Sequence, residues 1–354
     1  MKDLRLGKIT IGRDKPCVII AEIGVDHMGD MTKARRMIEA VKELGADIAK
    51  FQIHLPEVEM APNHPATAFH GGSLTEVFKK SHLTPEEHRG LKEHCEKAGI
   101  QYLCTPFCPT SVDLLHNVVG VQAFKTGSGE ITNLPQHRKL AKISAKTGKP
   151  VLVSIGMSTL DEIAETVSVY REEGALENLV LMVCTSEYPL EKYDDISLGL
   201  IPKLRDLFGV WVGYSDHSKD NRIAVAAVAL GAKVIEKHFT LAYGEGGCDD
   251  SVALTPAMFK DLVEGIRRVE SALGSEKAIR PEEWKTRSWA FHSVVTNSTL
   301  STGTVITLQN VRPARPGMGI PAKFLDQKYS SALIGRAVKR DLGQNHVLQW
   351  SDLA

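Results

Sequence analysis

The sequence predicts a (β/α)8 barrel followed by a small, mostly β domain. Eight apolar, β-branched segments recur along the first two thirds of the 354 residues, and most are separated by a segment with helical periodicity. Apolar strands that alternate with amphipathic helices form a parallel sheet covered on its faces, and eight such units suggest closure into a barrel. A doubly wound open sheet is the alternative fold, but AEIGVDHMGD after the first strand lacks the glycine pattern of a dinucleotide-binding loop.

The predicted helices have clear boundary signals. The first, TKARRMIEAVKELGA, has its apolar residues on one face and ends at Gly45. The helix in TPEEHRGLKEHCEKAG has Thr84 as N-cap, Pro85 at its first position, Glu87 three residues past the cap and Gly99 at its end. The scheme repeats in NLPQHRKLAKISAKTGKP, TLDEIAETVSVYREEG, NRIAVAAVALGA and TPAMFKDLVEGIRRVESALG. The eight strands are predicted to start at Cys17, Ile48, Gln101, Ala123, Val151, Leu179, Val210 and Ala232.

The chain divides into two predicted domains. We expect the barrel over 1–275, a linker over 276–288 and the small domain over 289–354, where short strand-like pieces alternate with turns. A domain of this size buries little core, so we expect it to pack on the barrel or on a neighbouring subunit. Residues 54–82 are long for a loop between strand and helix and rich in Pro, His and Gly, which predicts an active-site excursion.

The composition excludes several classes of function. Lys plus Arg and Asp plus Glu both total 43, so overall charge does not favour nucleic acid or an anionic membrane as a partner. No apolar run reaches the ~20 residues that a bilayer requires, and MKDLRLGKITIG lacks the apolar core of a signal peptide, so we expect a cytoplasmic protein. Six cysteines are too sparse for a disulfide scaffold, and Cys104 and Cys108 have no second pair with which to bind a metal.

Polar residues end every predicted strand, where the chemistry of a (β/α)8 barrel is located. Each inward polar group costs a few kcal/mol unless it is paired, so a dozen in one core predict a shared charged ligand. The residues are Glu22, Asp26, His27, Lys50, Gln52, Thr105, Lys125, Ser128, Glu130, Ser154, Thr185, Ser186, Glu187, Tyr188, Ser215, Asp216, His217, Glu236, Lys237 and His238.

Two lysines in neighbouring parts of this ring, Lys50 and Lys125, predict an anion site. Compact cations together with hydroxyls and the glycine-flanked amides of GSGE suit a phosphate and an adjacent carboxylate. The alternative is that each lysine forms an ion pair with a glutamate across the barrel. The hydroxyl donors are Thr105, Ser128, Ser154 and Ser215.

Two histidines that end adjacent strands predict a metal site. His217 and His238 can converge, and one or two carboxylates from Glu22, Glu236 or Asp249 would complete a site for Mn²⁺, Mg²⁺ or Co²⁺. The alternative is a pair of hydrogen-bonded core histidines. A structural zinc site is not expected, because no cysteine shares the spacing.

A series of short motifs runs along the chain: AEIGVDHMG, AKFQ, CTPF, FKTGSGEITNLP, VSIGMST, CTSEYP, GYSDHS, IEKHFT and RPGMGI. In this order they closely resemble the N-acetylneuraminate (sialic acid) synthase family, which includes legionaminate and pseudaminate synthases. The resemblance spans nearly the whole chain. It is carried by SGEITN, SDH and EKHFT on successive strands and by the RPGMG tail.

The resemblance implies a (β/α)8 barrel and an antifreeze-like SAF domain that reaches into the partner's active site in a domain-swapped homodimer. It implies condensation of phosphoenolpyruvate with an open-chain N-acetylhexosamine, ManNAc or a related sugar, to a nonulosonic acid and phosphate. A divalent metal would activate the aldehyde, with Mn²⁺ as the first expectation and Mg²⁺ or Co²⁺ as alternatives. The alternatives are a legionaminate or pseudaminate synthase that uses a 2,4-diacetamido-trideoxyhexose, and a 9-phosphate synthase that uses ManNAc 6-phosphate.

The resemblance also implies roles for individual residues. Those that look like the phosphoenolpyruvate site are Lys50, Thr105, Lys125, Ser128, Ser154, Ser186 and Ser215. Those that look like metal ligands are His217 and His238. The sugar-binding residues would be Gln52, Tyr188, Asp249 and Arg315, the last lent to the other subunit's sugar. The carboxylates expected to take part in catalysis are Glu22, Glu130 and Glu236, with Glu130 as general acid or base.

Several positions depart from the family pattern. Asp26 stands where an Asn-His pair is usual, Met28 where Asn or Glu is common, and Ser186 where many neuraminate synthases carry Asn. Phe291 and His292 replace the more usual basic pair of the tail. These positions mostly flank the acceptor, so the identity of the sugar stays open, although SGEITN favours the neuraminate or legionaminate side.

Two rival functions follow from the same residues. A metal-dependent amidohydrolase would need H-x-H on the first strand, and His27-Met28-Gly29 does not supply it. A carbohydrate- or ice-binding module in the C-terminal domain would leave the barrel as a scaffold, which the many polar strand ends argue against.

Overall fold

A computed structural model describes residues 1–61, 74–190, 192–244 and 249–354. The chain forms two compact units, Met1–Gly274 and Ser275–Ala354. Eight strands of the first unit are β3 Val18–Gly24, β4 Ile48–Ile53, β5 Gln101–Pro106, β6 Phe124–Thr126, β7 Val151–Ser154, β8 Leu179–Cys184, β9 Trp211–Asp216 and β10 Val234–His238. They form one parallel sheet in the order β5-β4-β3-β10-β9-β8-β7-β6. Its end strands β5 and β6 lie side by side, so the sheet is a barrel.

Helices cover the outside of the barrel, as the alternating pattern predicts. Ten helices lie among the described residues of this unit: α1 Met31–Glu43, α2 Pro56–Glu59, α3 Leu74–Ser81, α4 Pro85–Ala98, α5 Pro109–Leu114, α6 Leu134–Thr147, α7 Leu160–Glu172, α8 Leu200–Phe208, α9 Asn221–Ala229 and α10 Pro256–Ala272. A π-helical turn, Leu115–Val119, extends α5. Short 3-10 turns occupy Ser128–Glu130, Leu176–Asn178 and Tyr193–Asp195. The predicted (β/α)8 barrel is therefore confirmed.

The N-terminal boundary of α4 shows the local chemistry that the sequence predicts. Thr84 Oγ1 accepts a hydrogen bond from the Glu87 amide at 3.2 Å, and Glu87 Oε2 accepts one from the Thr84 amide at 2.7 Å. This reciprocal pairing satisfies two amides that the helix would otherwise leave open. The helix ends at Gly99, whose positive φ of 75° admits glycine without strain.

A hairpin closes the N-terminal end of the barrel. Strands β1, Leu4–Leu6, and β2, Ile9–Ile11, pair in antiparallel fashion. Their apolar side chains pack with the inward-facing residues of the lower barrel, and Trp211 Nε1 donates a hydrogen bond to Lys2 O at 2.7 Å. The inner residues of this cluster include Val18, Ile20, Ile48, Leu103, Leu152, Val180 and Val234. The polar residues of the interior therefore lie toward the opposite, C-terminal end.

The second unit is a small antiparallel sheet with turns, which matches the predicted fold of the C-terminal domain. Strands β11, Ser293–Thr296, and β12, Val311–Ala314, pair with each other. Helix α11, Pro281–Ala290, precedes them and lies largely within the stretch predicted to be a linker. Short 3-10 turns occupy Ala322–Leu325, Ser330–Ala332 and Trp350–Asp352. The unit has a core of its own, formed by residues such as Val294, Ile306, Leu333, Leu348 and Leu353.

Two details of the sequence-based assignment are wrong or incomplete. The predicted fourth strand ends at Thr126, and Ser128 and Glu130 lie in a 3-10 turn after it. The predicted excursion over 54–82 contains α2 and α3, and its residues 62–73, His70 among them, lie outside the described residues. No helix in the described ranges is long and apolar enough to cross a membrane.

Candidate active site

A cavity of about 420 Å³ lies at the C-terminal ends of the barrel strands. Every residue of the first unit to which the resemblance assigns a binding, metal-ligating or catalytic role lines it. The lining residues that the sequence predicted are Glu22, Lys50, Gln52, Thr105, Lys125, Ser128, Glu130, Ser154, Ser186, Tyr188, Ser215, His217, Glu236, His238 and Asp249. Strand register brings them together: Glu22 lies beside Lys50 and His238, and Glu236 beside Ser215.

Two buried lysines form the floor of the cavity. Lys50 Nζ lies 2.8 Å from Glu22 Oε2 and 3.6 Å from Glu236 Oε1, and Lys125 Nζ also lies 3.6 Å from Glu236 Oε1. Lys50 donates a hydrogen bond to Thr105 Oγ1 at 3.1 Å, at the bottom of the same cavity. The ion pairs with glutamates across the barrel, offered above as the alternative, are thus present in this structure.

The electrostatics of this floor are strongly coupled. Burial opposes ionisation of Glu236, but Lys125 and Lys50 outweigh it and lower the pKa of Glu236 to about 2. Burial raises the pKa of Glu22 against the opposing influence of Lys50, and lowers the pKa of Lys125. Because Lys50 and Lys125 both pair with the ionised Glu236, the floor keeps a positive potential that attracts an incoming anion.

Beside Lys125 the cavity wall is a cradle of small donors. Lys125 Nζ donates to Ser154 Oγ at 2.6 Å, and the Gly156 amide donates to Ser128 Oγ at 3.1 Å. A Cβ at Gly156 would lie 2.8 Å from Ser128 Oγ and would also collide with Ser186 Oγ, so glycine keeps this space open. Hydroxyls, an amide and an ammonium around a space kept free of side chains form a site suited to a phosphate.

Cys184 is a cavity residue that the sequence analysis missed. Its place in the apolar run LVLMVC is typical of a buried strand cysteine, but it is half-buried at the end of β8 and lines the cavity. Its Sγ lies 3.2 Å from Ser128 Oγ and 3.6 Å from Ser186 Oγ. The signal that could have found it is its position, two residues past the inward-facing Met182 on the same strand.

The imidazoles of His217 and His238 face each other on the other side of the cavity, with ring centroids 5.6 Å apart. His217 Nδ1 donates to Thr185 O at 2.8 Å, so its proton is on Nδ1 and the lone pair of Nε2 is free for a ligand. Burial lowers the pKa of His217 to about 3, which keeps this ring neutral. Burial would also lower the pKa of His238, but Asp249, whose Oδ2 lies 3.3 Å from Nδ1, outweighs burial and raises it.

This donor set fits a divalent cation with an open coordination sphere. A backbone carbonyl that orients His217 is the arrangement that metal-binding histidines use. Within the described part of the chain no group of three or more His, Cys, Asp or Glu side chains has metal-binding geometry. A divalent cation here would have the imidazoles of His217 and His238 as its protein ligands, and water or substrate oxygens would have to supply the remaining positions.

Glu130 enters the cavity from the 3-10 turn after β6. Burial raises its pKa to about 7, although Lys125 partly opposes the shift. Its Oε2 has no hydrogen-bond partner among the described residues. A carboxyl group that titrates near neutral pH and has an unsatisfied oxygen can accept or donate a proton during a reaction.

A second set of missed residues forms one wall of the cavity mouth. His54 lies between the rings of Phe78 and Phe107, and Val77 and Met157 also line the cavity. The predicted excursion over 54–82 indicated an active-site segment but not these side chains. The Q-x-H spacing of Gln52 and His54 is the available signal, because residues two apart on a strand lie on one face.

Six of the polar residues counted at the strand ends do not line the cavity: Asp26, His27, Thr185, Glu187, Asp216 and Lys237. Asp216 and Lys237 are fully buried outside the barrel lumen, where Lys237 Nζ lies 2.7 Å from Asp216 Oδ2. Side chains alternate along a strand, so the neighbours of the inward Ser215 and Glu236 point outward. This pair joins β9 to β10 and belongs to the structure of the barrel, so counting it with the ligand-binding residues was wrong.

Arg315 belongs to the second unit. Its Nε donates to Ala290 O at 2.9 Å, and its guanidinium lies 5.7 Å from the ring centre of Trp289. These contacts hold it near α11. Its predicted role toward a sugar in the other subunit stays a prediction.

Comparison with known proteins agrees with this architecture. The NeuB family model matches residues 37–278, and the SAF domain model matches residues 292–354. The chain belongs to the NeuB family. Several of its relatives are synthases of the sialic acid type, which supports a nonulosonic acid synthase-type function for this NeuB-family chain.

Individual relatives cover most of the NeuB-family chain. The N,N'-diacetyllegionaminic acid synthase of Campylobacter jejuni is 38% identical, over 87% of this chain and 93% of that protein. The human N-acetylneuraminate-9-phosphate synthase is 37% identical, over 84% of this chain and 83% of its own. The crystal structure of N-acetylneuraminic acid synthetase from Leptospira borgpetersenii has a TM-score of 0.70 at 30% identity, over 80% of this chain and 95% of that one.

Proposed function

We propose that the protein condenses phosphoenolpyruvate with the open-chain form of an N-acetylhexosamine, giving a nonulosonic acid and inorganic phosphate. The observation that carries the proposal is the shared cavity. A lysine-hydroxyl cradle and a pair of facing imidazoles line one space of about 420 Å³, large enough for two small substrates to meet. Family membership supports the same reaction class.

Phosphoenolpyruvate is proposed to bind at the floor. Its phosphate fits the cradle of Lys125, Ser128, Ser154 and the Gly156 amide, with Ser186 beside it. Lys50, Thr105 and Ser215 remain for its carboxylate. The anion would compete with Glu22 and Glu236 for the lysines, and a dianionic phosphate has the greater charge.

The acceptor sugar is proposed to bind above the imidazoles. Gln52, Tyr188 and Asp249 line that part of the cavity and offer amide, phenol and carboxylate groups to its hydroxyls. His217 and His238 would hold a divalent cation, Mn²⁺ first and Mg²⁺ or Co²⁺ as alternatives, which when bound supplies Lewis-acid polarisation of the aldehyde. The protein's own contribution is to orient the two substrates, so that an encounter in solution becomes an oriented reaction.

The reaction balances with one molecule of water. Carbon C3 of phosphoenolpyruvate bonds to the aldehyde carbon, water adds at C2, and phosphate leaves with cleavage of the C–O bond at C2. Of the two protons of the water, one ends on the former aldehyde oxygen as the new hydroxyl and the other on the phosphate. Glu130 is our candidate to take the proton from that water, because its buried carboxyl group titrates at about pH 7 beside Lys125.

A domain-swapped homodimer is proposed as the active form. The second unit exposes large apolar side chains, with Trp284 57%, Trp289 56% and Met318 69% exposed. Such residues are typical of interfaces, and Met318 lies in the same RPGMG tail as Arg315. Arg315 would then complete the sugar site of the other subunit. We expect the enzyme in the cytoplasm, where phosphoenolpyruvate is made.

The test measures phosphate release from phosphoenolpyruvate with and without Mn²⁺, in the presence of ManNAc, ManNAc 6-phosphate or a 2,4-diacetamido-trideoxyhexose. We expect phosphate release that requires both the metal and one of these sugars. The product should have the mass of that sugar plus pyruvic acid. Release without any sugar, or no release with all three, would overturn the proposal. The preferred sugar distinguishes the neuraminate, 9-phosphate and legionaminate or pseudaminate alternatives.

A further inference from the structure

We propose that His54 is a positioning residue that fixes the side-chain amide of Gln52, and with it the acceptor end of the cavity. Gln52 lies near the C-terminal end of β4 and His54 directly follows the strand, and both side chains line the cavity. None of the motifs that carry the family resemblance includes His54. The inference rests on the proposed function only where it refers to the acceptor.

A continuous row of hydrogen bonds connects His54 to the cavity floor. Gln52 Nε2 lies 2.6 Å from Glu22 Oε1, and Gln52 Oε1 lies 3.0 Å from His54 Nε2. On the far side of the ring, His54 Nδ1 lies 2.9 Å from Glu59 Oε1. The row therefore runs from Glu59 through His54 and Gln52 to Glu22, which pairs with Lys50.

Hydrogen-bond roles in this row constrain one another. The Glu22 carboxylate can only accept, so the NH₂ group of Gln52 faces it and the Gln52 carbonyl oxygen faces His54. That oxygen also accepts, so His54 Nε2 carries a hydrogen. Nδ1 lies against the Glu59 carboxyl group, so it is Nε2–H that holds the oxygen of the Gln52 amide.

The ring itself is held rigidly. Its centroid lies 3.6 Å from that of Phe78 and 4.2 Å from that of Phe107, with interplanar angles of 10° and 17°. The His54 and Glu59 side chains are only 3% and 6% exposed. A ring stacked between two phenyl groups and bonded at both nitrogens has little freedom to turn, so it can hold a neighbouring amide in one orientation.

The row gives the buried His54–Glu59 pair, which lies away from the two lysines, a function through Gln52. Glu22 fixes which end of the Gln52 amide faces the floor, and His54 Nε2–H holds the other end. Without His54 the amide is held at one end only and can turn about that hydrogen bond, so the NH₂ hydrogen left for an acceptor hydroxyl loses its fixed direction. His54 therefore acts on acceptor binding through Gln52, and phosphoenolpyruvate binding does not depend on it.

The test is a double-mutant cycle with full-length protein. H54F keeps an aromatic ring in the stack but removes both hydrogen bonds, and we expect it to raise the KM for the acceptor sugar about tenfold, the effect of one lost hydrogen bond, with the KM for phosphoenolpyruvate unchanged. In a Q52A background the same change should have less than about a twofold effect, because the group that it positions is gone. H54Q, whose NH₂ group can donate to Gln52, should restore most of the affinity.

A matched control is H88F, which removes another buried histidine, bonded to Tyr102 OH at 2.8 Å away from the cavity. It should lower the thermal midpoint without changing the acceptor KM. Equal effects of H54F with and without Gln52, or an equal rise in both KM values, would overturn the positioning role.

A readout that needs no turnover separates this inference from the proposed function. In long-range ¹H–¹⁵N spectra of histidine-labelled protein, His54 assigned by its loss in H54Q should show a protonated Nε2. The Nε2–H signal should shift in Q52A, which removes its acceptor. An unprotonated Nε2 would contradict the inference even if the enzyme is a synthase, and a protonated one would uphold it even if no tested sugar is used.

Discussion

The two halves of the barrel interior differ completely in chemistry, although the same strands build both. The lower layer is apolar and packs on the β1–β2 hairpin, whereas the upper layer is charged and hydroxylic. The step between them is two residues, about 6.6 Å along a strand. The pairs are Ile20 and Glu22, Ile48 and Lys50, Leu103 and Thr105, Ala123 and Lys125, Leu152 and Ser154, and Val234 and Glu236.

This difference teaches that one layer provides stability and the other function. The apolar layer buries side chains that no water reaches, which stabilises the fold. The polar layer buries two lysines and two glutamates, and such groups contribute little to stability once the cost of removing them from water is counted. We therefore expect substitutions two residues apart on neighbouring strands to separate stability from activity.

The largest effect is expected for Lys125→Met in the upper layer. Loss of the ammonium removes the main contact that we propose for the phosphate, and we expect kcat/KM for phosphoenolpyruvate to fall by about 10³-fold, equal to about 4 kcal/mol. Lys50 still faces Glu236 at 3.6 Å, so urea unfolding should show a change in stability below about 2 kcal/mol. Lys146→Met, at an exposed position of α6, is the control and should change neither. Activity within tenfold of the natural protein would contradict the assignment of the layer.

The converse effect is expected for Leu103→Ala in the lower layer. Leu103 is 1% exposed and packs in the cluster that the hairpin closes. Its truncation leaves a cavity and should lower the free energy of unfolding by about 3 kcal/mol, measured by urea denaturation. At a temperature where the variant is folded, kcat/KM should stay within about threefold. A large loss of activity in folded protein would show that the two layers are not separable.

The lower layer and the overall fold could be predicted from the sequence because their signals are local and repeated. Each strand has an apolar run, and helix α4 has its cap, Thr84 with Glu87, written in adjacent residues. The candidate site residues came from the rule that chemistry sits where the strands end and from the family resemblance, and the structure brings those of the barrel into one cavity. The rule failed at Asp216 and Lys237, because the direction of a strand-end side chain depends on register and not on position alone.

The residues that sequence reasoning missed depend on contacts between distant segments. His54 acquires its place only when Phe78 of α3 and Phe107 after β5 enclose it. Cys184 enters the cavity because its strand continues two residues beyond Met182 of the apolar layer, and Gly156 keeps the adjoining space free. No local spacing encodes such a meeting, since the partners come from different strands and loops.

The smallest effect is expected for Glu130, and it tests whether function in the upper layer uses a proton. Burial raises its pKa to about 7, so the carboxylate form that can act as a base increases as pH rises through 7. We expect kcat/KM to rise over this range in the natural protein, and Glu130→Gln to lower the rate about 10²-fold and abolish that inflection. The raised pKa also affects stability. As pH rises from 4.5 to 7, the unfolded chain loses the Glu130 proton before the folded protein does, so the free energy of unfolding falls. Glu130→Gln should therefore be more stable than the natural protein at pH 8. A rate that falls through pH 7 would make Glu130 the acid of the reaction, whereas an inflection that persists in Glu130→Gln would assign it to another group and leave Glu130 with a structural role.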